Sequence, residues 1–441
     1  MDNFDWVWIL IRIIVASVIL TIVLVTMGFL TYFERKVAAH MQQRQGPNRT
    51  GFLGLAQWLA DAVKLIHKEE IIPAGADKVI FWIAPMLSMF TASAAYAFVP
   101  FGEQITLFGR TIPYYISETP VGLIALLAFS SLGVYGLIMG SWSSNNKYAL
   151  LGGLRSSAQV ISYEVTMGIS LVGVMMLAQS LSLNDIARAQ GGSWVGGFAG
   201  SLLGTPGVWF ILLQPVAFLT YMTSAIAETN RAPFDLPEAE SELVGGYHVE
   251  FSAMHFGLYF LAEYINMITV SAIATYCFLG GWQPIIPIGG AALGPLWFVI
   301  KMAGFIFFYY WLRWTVPRFR YDQLMGICWK GMLPIVLINI LVVALLRTFV
   351  AFMQPDPDVT SIPPLLTGAP LEQTWPWLVF IAVQLVLAVA FVVLVSRAAV
   401  GTWWGKSDRP LLARAGDTNP AAIGAVLDTD AARRIELRPG L

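Results

Sequence analysis

Nine long apolar runs mark this chain of 441 residues, and no other feature narrows its possible folds so far. They fall at about 6–33, 79–100, 119–140, 158–178, 207–227, 254–280, 296–316, 331–351 and 376–398. A helix rises about 1.5 Å per residue, so roughly 20 residues cross a hydrocarbon layer of about 30 Å. Composition agrees: 57% of residues are hydrophobic and 12% charged, whereas a soluble domain carries about a quarter charged residues. The expected fold class is an all-α polytopic integral membrane protein. Strands are not expected, because the runs lack barrel-type alternation and a lipid-exposed open strand leaves its backbone unsatisfied. The first run is too long for a signal-peptide core and is followed by "ERK", so it is expected to stay in the mature chain.

Lys and Arg mark the cytoplasmic side of a membrane protein. The segments after runs one, three, five, seven and nine hold Arg35, Lys36, Arg44, Arg49, Lys64, Lys68 and Lys78, then Lys147 and Arg155, then Arg231, then Arg313, Arg318, Arg320 and Lys330, and a final set from Arg397 onward. The opposite segments show Arg110, Arg188 and Arg347. The N-terminus is therefore expected outside, with the acidic loop and C-terminal tail inside. A net charge of -1 implies no polyanionic partner such as nucleic acid.

Two cysteines, Cys277 and Cys328, cannot supply the roughly four thiolates of an iron–sulfur cluster, and they read as packing residues. His40, His67, His248 and His255 show no ligand spacing. No redox metal or flavin is expected on this chain.

Residues 1–351 form the expected membrane core, with about eight spans. A Pro-rich linker at 352–375, an additional span at 376–398 and a polar tail at 399–441 follow. Between spans one and two, "GLAQWLADAVKLIHKEE" is amphipathic. Leu55, Trp58, Leu59, Ala62, Val63 and Ile66 share one face, and Gln57, Asp61, Lys64 and Lys68 the other. Such a helix lies at the membrane surface. It either anchors the chain or walls a cavity that Asp61 faces.

Ionisable groups inside a bilayer are costly and raise functional hypotheses. Glu164, Glu263 and Lys301 lie within apolar runs, Glu118 lies at the outer mouth of run three, and Arg12 can snorkel to the outer interface. Glu118 reads equally as a solvated interfacial acid. Lys301 is expected to neutralise an acid on a neighbouring helix.

One loop concentrates charge. "ETNRAPFDLPEAESELV" sets Glu228, Asp235, Glu238, Glu240 and Glu242 around Arg231. Pro233 and Pro237 stiffen the turn, and Asp235 with Glu238 resembles a helix-capping pair. Glu238 and Glu242 would share a helix face, where like charges favour protonation of one of them. Such a cluster can be switched by a charge arriving beside it. Helix one ends in Glu34, Arg35 and Lys36 at the same surface, where charges also serve as topological anchors.

The stretches "ERKVAAHMQQRQGPNRTG", "LADAVKLIHKEEIIPAGADK", "GGLRSSAQVISYEV", "AETNRAPFDLPEAESELVGGYHVEFS" and "FLAEY" resemble the family of the H subunit of NADH-quinone oxidoreductase, the membrane protein at the heel of respiratory complex I. The resemblance runs from about residue 6 to 351, in order and in register. It implies a helical subunit that walls a quinone tunnel, anchors the hydrophilic electron-transfer arm and helps to couple quinone reduction to proton pumping. By that resemblance Glu34, Arg35, Arg44, Asp61, Arg231, Phe234 and Asp235 belong to the quinone chamber. Glu164, Glu228, Glu238, Glu240, Glu242 and Glu263 belong to a proton relay, with Glu118, Lys301 and His255 as weaker candidates. The substrate implied is ubiquinone or menaquinone. The partners are the iron–sulfur, quinone-site and small membrane subunits of complex I, together with membrane lipid, in an energy-transducing membrane.

Two departures stand out. The family usually places Tyr-Ser after the glutamate that follows the acidic loop, then often Lys; here "VEFSAMHFG" supplies Phe251 and His255. The ninth span exceeds the usual eight. An alternative class is the related anchor of membrane-bound hydrogenases, which uses no quinone; the long basic first loop, Asp61 and the amphipathic helix favour the quinone version.

Overall fold

The computed structural model describes residues 6–102, 104–107, 110–191, 208–235, 246–284, 293–353 and 371–399. Among them eight helices are long and apolar enough to cross a membrane. The all-α polytopic expectation holds. Residues Met1–Val392 form one compact unit; a second unit, Val393–Leu441, contributes the last residues of the C-terminal helix to what is described.

Helix α1 (Trp6–Met41) is followed by the surface helix α2 (Gln57–His67) and by α3 (Lys78–Ala95). Asp77 caps α3 by accepting from the Val79 N–H, which satisfies one of the free donors of the first turn. α4 (Gly122–Ser131) and α5 (Gly133–Ser143) act as one span. α6 (Lys147–Ala178) is capped by the Asn146 side chain and ends at Gln179 in the left-handed region, φ 55°. α7 (Leu183–Ala189) is short.

The fifth run is broken. α8 (Phe210–Leu213) stops at Gln214, and α9 (Pro215–Glu228) starts anew with Pro in its first turn. Proline there has no N–H to continue the ladder and suits a helix start. The sequence marks one apolar run here; in the structure it is two helices, neither long enough to count as a membrane span by itself.

α10 (Ala253–Phe278) is the most enclosed span, with 67% of its apolar window buried against 22% for α1. α11 (Gly294–Thr315), α12 (Tyr321–Gly326), a π-helical turn (Ile327–Met332) and α13 (Leu333–Met353) follow. The ninth run forms α14 (Leu371–Ala399).

The expectation of no strands needs one correction. β1 (Gln104–Leu107) and β2 (Arg110–Pro113) pair antiparallel, Gln104 opposite Pro113 and Leu107 opposite Arg110. This pair lies between spans, where water can satisfy the outer backbone groups.

Glycine sets the closest helix contact near the acidic loop. A Cβ on Gly152 of α6 would lie 2.7 Å from the carbonyl carbon of Gly246 and 2.8 Å from its Cα. Backbone cannot yield as a side chain can. Gly152→Val is therefore expected to push Gly246–His248 off α6 and to deplete the assembled protein, since overpacking of this kind costs about 1–3 kcal/mol or more. The content of this chain in native membranes, read on a clear-native gel, would test this; wild-type levels would refute it.

Candidate functional site

Four elements bring charge together inside the protein. Glu34, near the end of α1, is 7% exposed and accepts a hydrogen bond from the Tyr264 hydroxyl of α10 at 2.5 Å. Arg313, in the last turn of α11, donates to its other oxygen. Arg231 reaches from the loop after α9, its Nη1 3.8 Å from Glu34 and its Nη2 3.7 Å from Glu263 of α10. The Arg231 guanidinium also lies over the Tyr264 ring at 4.4 Å. Tyr247 in turn donates to Glu263 at 3.1 Å. The result is an alternating ladder, Arg313, Glu34, Arg231, Glu263. Each carboxylate in it has a cation beside it, as buried charges need.

Beyond Glu263 the ladder opens into a cavity of about 40 Å³. Glu263, Tyr247 and Asn266 line one side, and Glu228, Ser88 and Ser130 are among the groups lining the rest. Glu228 Oε2 and Ser88 Oγ are buried with no hydrogen-bond partner. At roughly 10–15 Å³ per water, the cavity holds about three waters, which would satisfy those atoms. Val160 of α6 also lines it, and Glu164 lies about one turn further on the same helix. The sequence-derived acids Glu34 and Glu263 thus share the Arg231 bridge, and Glu263 and Glu228 share one cavity.

The acidic loop is clamped from α6. Gln159, fully buried, donates to the carbonyls of Ala227 at 2.9 Å and Phe234 at 2.8 Å. Phe234 stacks on Phe319, centroids 5.4 Å apart and planes at 14°, and meets Tyr163 at 5.8 Å. Asp235 is 6% exposed and pairs with Arg318 at 3.1 Å. His248, just past the loop, packs edge-on against Tyr247 at 4.9 Å. Burial pushes its pKa down, and the nearby Asp235 carboxylate partly opposes this. Glu238, Glu240 and Glu242 lie outside the described residues.

At the surface helix, Arg35 pairs with Asp61 at 2.6 Å, and Gln57 also donates to Asp61. On the opposite, apolar face of α2, Leu59, Val63 and Ile66 lie open. Arg44 is exposed and bonds to Gln42, apart from the ladder.

The weaker candidates sit elsewhere. Glu118 takes a hydrogen bond from Asn184 at 2.9 Å. Burial works against its charge, but hydrogen bonds from Asn184 and Tyr115 and the cations Arg188 and Arg12 together hold its pKa below the usual carboxylate value. His255 lies 3.4 Å from Glu70 and edge-on to Trp82 at 4.2 Å, a clasp between α10 and the segment after α2. Phe251 stacks on Phe81 at 4.1 Å with planes at 12°, so the missing tyrosine hydroxyl is replaced by aromatic packing.

Lys301 corrects its expectation. Its ammonium donates to the carbonyls of Leu279 at 2.6 Å, Gly281 at 3.0 Å and Gln283 at 2.6 Å, and lies over the Trp209 ring at 4.5 Å. These carbonyls follow the C-terminal end of α10, the negative pole of its dipole. Helix-end carbonyls replace the expected acid.

Tyr264, Arg313, Tyr247, Gln159 and Arg318 are site residues that the sequence did not single out. Arg313 and Arg318 carried a signal, as cations of the inner loops, but it read as topology. Among the described residues no group of three or more His, Cys, Asp or Glu could hold a metal ion.

A family model described as NADH dehydrogenase matches residues 13–344. The H subunit of NADH-quinone oxidoreductase from Thermomicrobium roseum is 51% identical over 343 residues, 78% of this chain and 98% of the relative. The H subunit numbered 2 of Geobacter sulfurreducens is 48% identical over 335 residues, covering 76% and 95%. The H subunit of Rhodospirillum centenum is 49% identical over 338 residues, covering 75% and 93%. With three quarters of its length matched at about half identity, this chain belongs to the NADH dehydrogenase family of membrane proteins, among the H subunits of NADH-quinone oxidoreductase.

Proposed function

We propose that this chain walls the quinone tunnel of a proton-pumping NADH-quinone oxidoreductase and passes the effect of quinone reduction to proton-translocating groups. The observation that carries the reading is the Arg231 bridge, which joins Glu34 at the end of α1 to Glu263 at the edge of the cavity. Ubiquinone or menaquinone would enter from lipid along the open apolar faces of α1 and α2, where Phe33, Leu59 and Ile66 are exposed. A polar head and a long apolar tail need such a corridor ending in charged groups. Glu34, Arg35, Arg44, Asp61, Arg231, Phe234 and Asp235 form the head-group end.

Reduction of the quinone consumes two electrons and two protons and yields the quinol. Iron–sulfur clusters of the hydrophilic partner proteins, docked on the same inner surface, supply the electrons. Removing protons or creating a transient anion near Asp235 changes the charge facing the acidic loop. Glu228, Glu238, Glu240, Glu242 and Glu263 respond by exchanging protons, with waters in the cavity linking Glu263 to Glu228, and Glu164 leads onward to the small membrane subunits. The host is an energy-transducing membrane; we place it as the prokaryotic inner membrane, and the Lys/Arg bias of alternate loops supports an N-terminus outside and a tail in the cytoplasm. Residues 1–351 act as the core, and α14 with the tail is an addition to it.

Photo-crosslinking with a quinone-analogue inhibitor in native membranes tests the chamber. Label within residues 34–68 or 228–242, competed by excess quinone, is expected; no competable label with all partner proteins present would overturn it. The Asp61→Asn variant gives a separate check. The Arg35–Asp61 pair is partly exposed, so its loss costs at most about 1 kcal/mol of stability. The expected result is a severalfold rise in KM for quinone with little change in assembly. An unchanged KM would remove Asp61 from the chamber.

A further inference from the structure

Three buried amides meet in the membrane far from the acid ladder. Gln384 of α14 donates to Asn339 Oδ1 of α13 at 2.6 Å. Gln214, at the break between α8 and α9, donates to the Gly173 carbonyl of α6 at 2.9 Å. All three side chains are completely buried. Each keeps one atom without a partner: Gln384 Oε1, Asn339 Nδ2 and Gln214 Oε1. Two of these atoms converge on one point, since Gln214 Oε1 lies 2.9 Å and Asn339 Nδ2 3.4 Å from where Gly173 would carry a Cβ. The absence of a side chain on Gly173 is what lets both amides approach α6 this closely.

The unsatisfied set is one donor and two acceptors. A water molecule has the matching valence: it accepts from Asn339 Nδ2 and donates to Gln214 Oε1 and Gln384 Oε1. Three hydrogen bonds is the usual complement of a buried water. Orphaned amide atoms in hydrocarbon are costly, and lipid offers no substitute partner. Gly173 lies nine residues beyond Glu164 on α6, about 13 Å further from the charged inner surface. No carboxylate belongs to this set, so the site stands apart from the proposed proton relay.

We propose that Gln214, Asn339 and Gln384 bind one internal water, and that this bridged junction fastens the C-terminal helix α14 to the break in the fifth span. The family match ends at residue 344, before α14 begins at Leu371. The junction therefore ties a segment outside the matched region to the core, and it explains why the apolar middle of α14 carries Gln384.

Two measurements on the assembled oxidoreductase test it. Cryo-electron microscopy, at a resolution where ordered waters are seen elsewhere in the complex, should show a density within hydrogen-bonding distance of all three amides. In Gly173→Ala that density should vanish and the Gln214 side chain should move. Separately, a protease site placed between residues 354 and 370 allows the chain to be cut after assembly. The severed α14 should stay bound in wild type and be retained roughly tenfold less in Gln384→Leu, which leaves Asn339 orphaned. An empty site in wild type, a direct bond between Gln214 and Asn339, or full retention of α14 in Gln384→Leu would each overturn the proposal.

Discussion

Replacing Arg231 with methionine is expected to cut quinone reductase activity by more than about tenfold and to deplete the assembled protein. The side chain is 8% exposed and sits between two carboxylates that are themselves largely enclosed. Methionine fills much of the volume but removes the positive charge from both. Glu34 keeps Arg313 and Tyr264. Glu263 loses the cation of the ladder, so the larger effect falls on the cavity side. Breaking a buried pair from one side costs about 3–5 kcal/mol. Arg231→Met combined with Glu263→Gln should recover assembly but not activity, because the Gln tolerates burial and carries no proton. NADH-driven quinone reduction and the content of this chain, measured in the same membranes, separate the two effects. Full activity in Arg231→Met would break the proposed link between chamber and cavity.

Glu228→Gln is expected to uncouple or stall the same machine without disturbing its fold. Glu228 lines the cavity, and its Oε2 has no hydrogen-bond partner, so an amide of the same shape replaces it without breaking a bond. What is lost is the ability to hold and release a proton opposite Glu263. Turnover should fall by about tenfold or more, as expected when a proton-transferring group is removed. Residual turnover should move fewer protons per quinone reduced. Fluorescence quenching in sealed vesicles, read against the rate of NADH oxidation, gives both quantities. Glu228→Asp should retain part of both. Normal pumping and normal turnover in Glu228→Gln would rule out a route through this cavity.

The membrane class and most spans were legible because apolar length is a one-dimensional property. The fifth span was misjudged because Gln214 and Pro215 look like a tolerable interruption within an apolar run, whereas in the structure they separate two helices. Glu263 stood out as a charge within an apolar run, Arg231 as the cation of the acidic loop and Glu34 as a charge at the end of helix one, and the three do meet. Tyr264 did not, because one more aromatic in an apolar helix reads as packing until its hydroxyl is seen on Glu34. Gln159 was silent for a related reason: a lone amide in a span shows nothing of the loop carbonyls it clamps. Lys301 was noticed and given the wrong kind of partner, since backbone acceptors at a distant helix end leave no trace in composition.

The cations Lys301 and Arg347, each held by backbone carbonyls, bear on how the chain is built during synthesis. Lys301 is held by carbonyls of residues 279–283, and Arg347 by those of Met176 and Leu177. In both cases the acceptors precede the cation in the sequence. Chains emerge N-terminus first, so when each charged span leaves the ribosome, the helix end that neutralises it has already been made. Arg12 reverses the order, since its acceptors at Tyr115 and Ile116 come about a hundred residues later. The first span is therefore made well before the segment preceding α4 that supplies the acceptors of its charge.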